Sequence, residues 1–274
     1  MSRSWRRQLC AALFADRVAW AVRDGGLRSA ISAQGAEAWT PPAGDSSWRP
    51  SFEALKDILR SRGAPRTELI ALLSGRFARA LLVPWPAEVQ GESEGAALAE
   101  HHFRRVFGDD AAQWEIAFDR ESDGALRLAC AVERELLQAL RALAAEAGVQ
   151  LVSVTPLFVS GINLWRRKIG RKPTLFVLAE ADRYCAAAFA NGEWSALRCG
   201  RLGEGADSLS MAIERESVLA GAGELQILGY APELPVATLS PELAPRFSGL
   251  ALADRPSVPA EIDPRAAFAV GALA

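Results

Sequence analysis

The sequence predicts an α/β fold made of two halves, each opening with a three-stranded β-meander and continuing into helices and a further strand. Two observations carry this. Short apolar runs separated by tight-turn residues occur near the start of the chain and again from residue 174. The tripeptide Ala-Asp-Arg stands at 15–17 and again at 181–183, each time leading through a strand to a turn pair, Asp24-Gly25 and then Asn191-Gly192. One hairpin therefore occurs twice.

Residues 9–14 (LCAALF), 17–23 (RVAWAVR) and 27–33 (LRSAISA) read as the first meander, with Asp24-Gly25-Gly26 as the turn between the last two strands. A loop with Trp39, Pro41, Pro42 and Trp48 follows. Ser51 then suits a helix N-cap, Phe52, Leu55, Ile58 and Leu59 share a face, and Gly63 ends the helix. A buried strand spans 69–73. Residues 76–83 lead to the break Pro84-Trp85-Pro86, and the next helix carries Leu98, Phe103, Val106 and Phe107 up to Gly108. Trp114, Ile116 and Phe118 alternate, as do Leu126, Leu128 and Cys130, with Asp123-Gly124 between them, which predicts a hairpin with one buried face. Leu136, Leu140 and Leu143 line a helix from 132 to 147.

A strand at 149–154 precedes a helix opened by Pro156. The second meander comprises 174–180 (TLFVLAE), 183–190 (RYCAAAFA) and 193–199 (EWSALRC). A helix at about 206–220, strands near 224–229 and 235–239, a proline-rich stretch and an alanine-rich helix after Pro264 complete the prediction. The expected division is 1–172 for the first half, with an inserted subdomain at about 76–148, and 173–274 for the second, whose terminal helix returns to the first half.

Of 274 residues half are hydrophobic and 23% charged, with a formal net charge of -2. That balance argues against disorder and against nucleic acid as a partner. The basic clusters Arg3, Arg6, Arg7 and Arg166, Arg167, Lys168 are short and read as solvated ends of elements. The longest apolar stretch, 151–165, is interrupted by Ser153, Thr155, Pro156, Ser160 and Asn163, too often for a membrane span. No signal-peptide pattern opens the sequence, so a cytoplasmic location is expected. Cys10, Cys130, Cys185 and Cys199 lack metal-ligand spacing and sit among apolar residues, which predicts four buried thiols with no zinc site or disulfide. His101 and His102 are adjacent and point about 100° apart on a helix, so they cannot serve one site together.

Two meanders with helices, a further strand each and a returning terminal helix outline an actin-like (ribonuclease H-like) fold. The sequence resembles the PilM-type pilus assembly proteins and the cytoplasmic part of the L component of type II secretion systems. The resemblance rests on LLSGRFARALLVPWP at 72–86, the hairpin and helix from 113 to 147, VQLVSVTPLFVSGINLW at 149–165, the second meander with NGEW at 191–194, and DPRAAFAVGALA at 263–274. It covers nearly the whole chain through diffuse patterns.

Active members of that superfamily cradle nucleotide phosphates in glycine-rich turns within the two meanders, because only glycine lets the backbone approach closely. Here the turns read Leu13-Phe14-Ala15-Asp16-Arg17 and Ala179-Glu180-Ala181-Asp182-Arg183, without glycine. The adenosine region reads Leu228-Gly229-Tyr230-Ala231-Pro232, and the short connection from the second meander to the strand at 224 leaves no room for the lobe that closes the nucleotide cleft. No bound cofactor is expected, and the phosphate turns at Ala15, Asp16, Arg17 and Ala181, Asp182, Arg183 read as degenerate. A rival reading keeps Asp16 and Asp182 as metal ligands of a residual ATPase or phosphohydrolase; the simpler one makes each a turn residue helped by the following arginine. The glycines of CGRLGEG at 199–205 read as a flexible connection.

The resemblance implies a non-catalytic cytoplasmic scaffold at the base of a pilus or secretion apparatus. Its partner would be an inner-membrane assembly protein with a short cytoplasmic N-terminal peptide, and contact with the membrane would come only through that partner. The peptide groove would be bordered by 72–86 and the helix near 156–168. Phe77, Arg79, Trp85, Trp165 and Arg166 are the candidate anchors, since aromatic and arginine side chains supply much of the energy at small interfaces. A structural homodimer is a further arrangement open to the chain.

Overall fold

From its first strand onward the chain builds a meander, a helix, a strand and an inserted block, and then begins the same plan again. The computed structural model describes residues 6–26, 30–41, 47–89, 91–120, 125–205, 207–221, 225–234, 239–252, 258–259 and 261–274. The first meander is β1 (Gln8–Leu13), β2 (Arg17–Arg23) and β3 (Ile31–Ala38), followed by α1 (Arg49–Arg62) and β4 (Glu68–Leu73). The inserted block holds β5 (Ala78–Pro84), α2 (Glu92–Phe107), β6 (Trp114–Phe118), β7 (Leu126–Glu133) and α3 (Arg134–Glu146), and β8 (Gln150–Pro156) and α4 (Leu157–Ile169) come next. The second meander is β9 (Thr174–Ala179), β10 (Arg183–Ala190) and β11 (Glu193–Arg201). After it run α5 (Ser208–Leu219), β12 (Gln226–Tyr230), β13 (Phe247–Gly249) and α6 (Ala267–Leu273).

Two five-stranded sheets share one order, β3-β2-β1-β4-β8 and β11-β10-β9-β12-β13. In each, the opening strand lies centrally, antiparallel to the second strand and parallel to the strand after the helix. Such a strand has neither face in water, which is why QLCAAL and TLFVLA are buried at every residue. The polar member, Gln8, donates its side-chain amide to Glu68 at 2.8 Å. A third sheet, β5-β7-β6, stacks Val83, Ala129 and Ala131 against Ala99 and Phe103 of α2.

The internal repeat extends beyond Ala-Asp-Arg. Phe14 N–H donates to the Arg17 carbonyl at 2.9 Å, and Glu180 N–H to that of Arg183 at 2.8 Å. Trp39 N–H donates to Asp16 at 2.8 Å, and Leu202 N–H to Asp182 at 2.9 Å. Both outer hairpins carry a bulge on the third strand: the register slips past Ser32 in one and past Ser195 in the other.

The chain forms two compact units. One, 1–77 with 135–164 and 251–274, contains the first sheet, α1 and α6; the other, 78–134 with 165–250, contains the remaining two sheets. The inserted block up to 134 thus groups with the second sheet, where the sequence attached it to the first half, because β11 packs on β5 and β7. In the first unit α6 lies on β1 and β2, with Phe268 and Phe14 ring centroids 5.9 Å apart, and the Arg23 guanidinium donates to the Leu273 carbonyl.

Several elements differ from expectation for local reasons. The third strand runs 31–38 rather than 27–33, since its pairing is fixed from the Arg17 end through Arg17↔Ala38. Ser51 does not cap α1; Trp48 holds that position, a proline occupies the first turn, and the Ser51 hydroxyl donates to the buried Phe14 carbonyl. Pro156 ends β8 instead of opening α4. Of the four expected thiols, Cys10 and Cys130 are free, while Cys185 and Cys199 form a disulfide with Cα atoms 4.1 Å apart. The cause is register. Running on from Phe189↔Trp194 without a bulge, Cys185 would face Arg198; skipping Ser195 brings Cys199 opposite it. Arg3, the stretch 27–29, Pro42, Asp123-Gly124 and residues 235–238 of the strand expected near 235–239 lie outside the described residues.

Candidate functional site

At each of the two turns where the resemblance implies a phosphate cradle, the aspartate pairs with the arginine that follows it. In the first, the Arg17 guanidinium donates to Asp16 Oδ1 at 2.9 Å and lies over the Phe14 ring, 4.0 Å from its centroid. Arg17 itself is buried. In the second, Arg183 Nε donates to Asp182 Oδ1 at 3.2 Å. A phosphate site needs several backbone N–H groups converging on free space, yet at each turn one N–H is spent on the arginine carbonyl three residues on. Asp263 adds a further carboxylate near Arg17; its hydrogen bond from Arg265 holds it below the usual carboxylate range despite partial burial. Among the described residues no group of three or more histidine, cysteine, aspartate or glutamate side chains could hold a metal ion. His101 is exposed and His102 half-buried, their rings nearly perpendicular.

Gly229 and Gly200 have packing roles. A Cβ on Gly229 would stand 2.6 Å from the Phe247 ring, so this glycine admits the aromatic ring of β13. Gly200 likewise lies under Tyr184, where a Cβ would meet the ring at 2.8 Å. Gly205, with φ of +108°, takes a left-handed conformation in the connection to α5.

The five candidate anchors fall in different settings. Phe77 and Trp165 are buried, and Trp165 packs edge-on against Tyr230 at 5.7 Å. Trp85, half-buried, packs on Phe118 at 5.1 Å beneath the Arg127 guanidinium. Arg79 is half-buried on β5, 6.0 Å from the Trp114 ring centroid. Arg166 is exposed in the last turn of α4.

A cavity of about 380 Å³ opens in the first unit. Ile70 and Leu72 of β4 form an apolar part of its lining, Ser153 and Thr155 of β8 and Ser160 and Asn163 of α4 bring hydroxyls and an amide, and the end of α6 completes it. The strand supplies its pair at i and i+2 and the helix its pair at i and i+3, the spacings that put two side chains on one face of each element. No charged side chain lines it among the described residues. The sequence did carry a trace of this site: these four polar residues are, with Pro156, the ones that interrupt the apolar stretch 151–165.

No protein-family model matches the sequence, and no curated protein matches it. Solved structures do. A chain of the PilM–PilN type IV pilus biogenesis complex superposes with a TM-score of 0.70 at 15% identity, over 97% of each chain. The cytoplasmic domain of EpsL, an inner-membrane component of the type II secretion system of Vibrio cholerae, gives 0.62 at 16% identity, over 90% of each chain. A Bacteroides thetaiotaomicron protein with actin-like ATPase fold and unknown function gives 0.58 at 10% identity, over 88% of this chain and 85% of that one. The fold is therefore actin-like, and the repeated strand order of the two sheets agrees with it.

Proposed function

We propose that this actin-like chain is a non-catalytic scaffold of a type IV pilus-like or type II secretion-like assembly, and that it binds a cytoplasmic peptide of an inner-membrane partner. The observation that carries the proposal is the cavity at Leu72, Ser160, Asn163 and Leu164, which falls on both borders expected for a peptide groove, 72–86 and the helix near 156–168. A lining without charged side chains, mixing aliphatic residues with hydroxyls and an amide, suits a neutral side chain together with peptide backbone groups. Phe77, buried in the same unit, is proposed as a support of this site; Arg79, Trp85, Trp165 and Arg166 belong to the other unit and are proposed as a separate set of partner contacts. The ion-paired, glycine-free turns at Asp16-Arg17 and Asp182-Arg183 support the absence of catalysis. No helix among the described residues is long and apolar enough to cross a membrane, which agrees with attachment through a partner.

Calorimetric titration tests both parts. Synthetic cytoplasmic N-terminal peptides of single-pass inner-membrane proteins encoded beside this one are expected to bind, and Ser160→Trp, which fills the cavity, is expected to weaken the tightest of them about tenfold or more with the melting temperature unchanged. MgATP at millimolar concentration is expected to give no heat. Peptide binding indifferent to Ser160→Trp would move the site elsewhere, and saturable MgATP binding would restore the nucleotide reading.

A further inference from the structure

The Cys185–Cys199 bond joins directly opposed residues of one hairpin, and its two sulfurs stand in unequal surroundings. Cys185 is buried on β10. Cys199 is exposed on β11, the outermost strand of its sheet. The hairpin does not depend on the bond, since β10 and β11 pair from Arg183↔Arg201 to Ala190↔Glu193 with a single slip at Ser195. Asn191 and Gly192, with φ of 56° and 86°, close the hairpin in the tight turn such strands favour. A link between strands already held by their ladder can open without the fold opening.

We infer that this disulfide is a reversible thiol-exchange site, at which a dithiol reductant attacks the exposed Cys199 sulfur. The reductant's thiolate forms a bond to Cys199 Sγ as the Cys199–Cys185 bond breaks, and Cys185 leaves as a thiolate that takes up a proton. The second thiol of the reductant then attacks its own partner sulfur in the mixed disulfide and releases Cys199. Two electrons pass to the protein and the dithiol ends as a disulfide. Access selects the attacked atom, because Cys185 is buried and Cys199 exposed. The product presents one nucleophilic thiol on the outer strand, open to capture by a small disulfide. In reducing compartments, disulfides that form at all are usually of this transient or sensing kind.

The other two cysteines leave the measurement clean. Cys10 is fully buried and Cys130 half-buried, and burial raises both thiols, so both are expected to alkylate slowly in the folded chain, and their peptides are distinguished by mass. The full chain, purified in air, is labelled with iodoacetamide under native conditions before and after dithiothreitol, and the labelled peptides are located by mass spectrometry. No label is expected at Cys185 or Cys199 beforehand. After reduction Cys199 is expected to label at least tenfold faster than Cys185, with an unchanged circular dichroism spectrum, and reduced chain given glutathione disulfide is expected to carry the adduct on Cys199. Cys199→Ser is expected to keep the spectrum and lose the adduct. Free labelling of both cysteines before reduction, reduction only in denaturant, or an adduct on Cys185 would each overturn the inference.

Discussion

Tyr184 stands at the junction of several features of the second sheet. Its ring covers Gly200, its hydroxyl donates to the buried Glu216 at 2.7 Å, and Arg215 and Arg198 approach the same carboxylate at 3.1 and 3.6 Å. Burial first, and Glu216 second, hold the phenol above its ordinary value. Below about pH 10 the phenol is neutral folded and unfolded, so its contribution to stability is complete. Above that the unfolded phenol ionises while the folded one keeps its proton, and the contribution falls as pH rises. Tyr184→Phe is expected to cost about 1–3 kcal/mol near pH 8, because it removes a bond to a buried charge. Urea unfolding at pH 8 and at pH 10.5 should show the gap to wild type narrowing at the higher pH; a constant gap would mean that the hydroxyl does not titrate in this way.

Among the elements, α2 approaches its sheet through a gap that only glycine leaves. A Cβ at Gly95 would stand 2.7 Å from Trp85 and 2.8 Å from Phe118. Gly95→Ala is a better helix former in isolation, yet overpacking should dominate and destabilise by about 1–3 kcal/mol in urea unfolding; a stabilised variant would show that the two rings yield. The elements also mark how far the residues alone could be read. β2 and β10 emerge with the expected bounds, Arg17–Arg23 and Arg183–Ala190, because turn pairs and apolar runs are local signals. Their third strands were harder. Ser32 and Ser195 look like ordinary strand residues, and the slip at each becomes visible only in the pairing. For that reason the cysteine bridge was missed, although both cysteines lay in plain view. The glycine-free turns were legible, being defined by what the backbone lacks locally. The cavity was not, since Ile70 and Asn163 meet only through the packing of a helix and two strands.

At the scale of the molecule, both sheets repeat one order, and the first is completed by a helix far along the chain. Phe268, Val270 and Leu273 of α6 are buried, with Phe268 set against Phe14. Phe268→Ala is expected to destabilise the first unit by about 3–5 kcal/mol, read as a lower urea midpoint and faster proteolysis of the β1–β2 region. A loss below about 1 kcal/mol would show that α6 merely rests on the surface. The same arrangement has a meaning for synthesis. Phe14 leaves the ribosome roughly 250 residues before its partner ring, an interval of about 10–50 s at ordinary elongation rates. During that time the part of β1 and β2 that α6 covers has no native cover, so a nascent chain of this design presents an apolar surface to whatever chaperone meets it first.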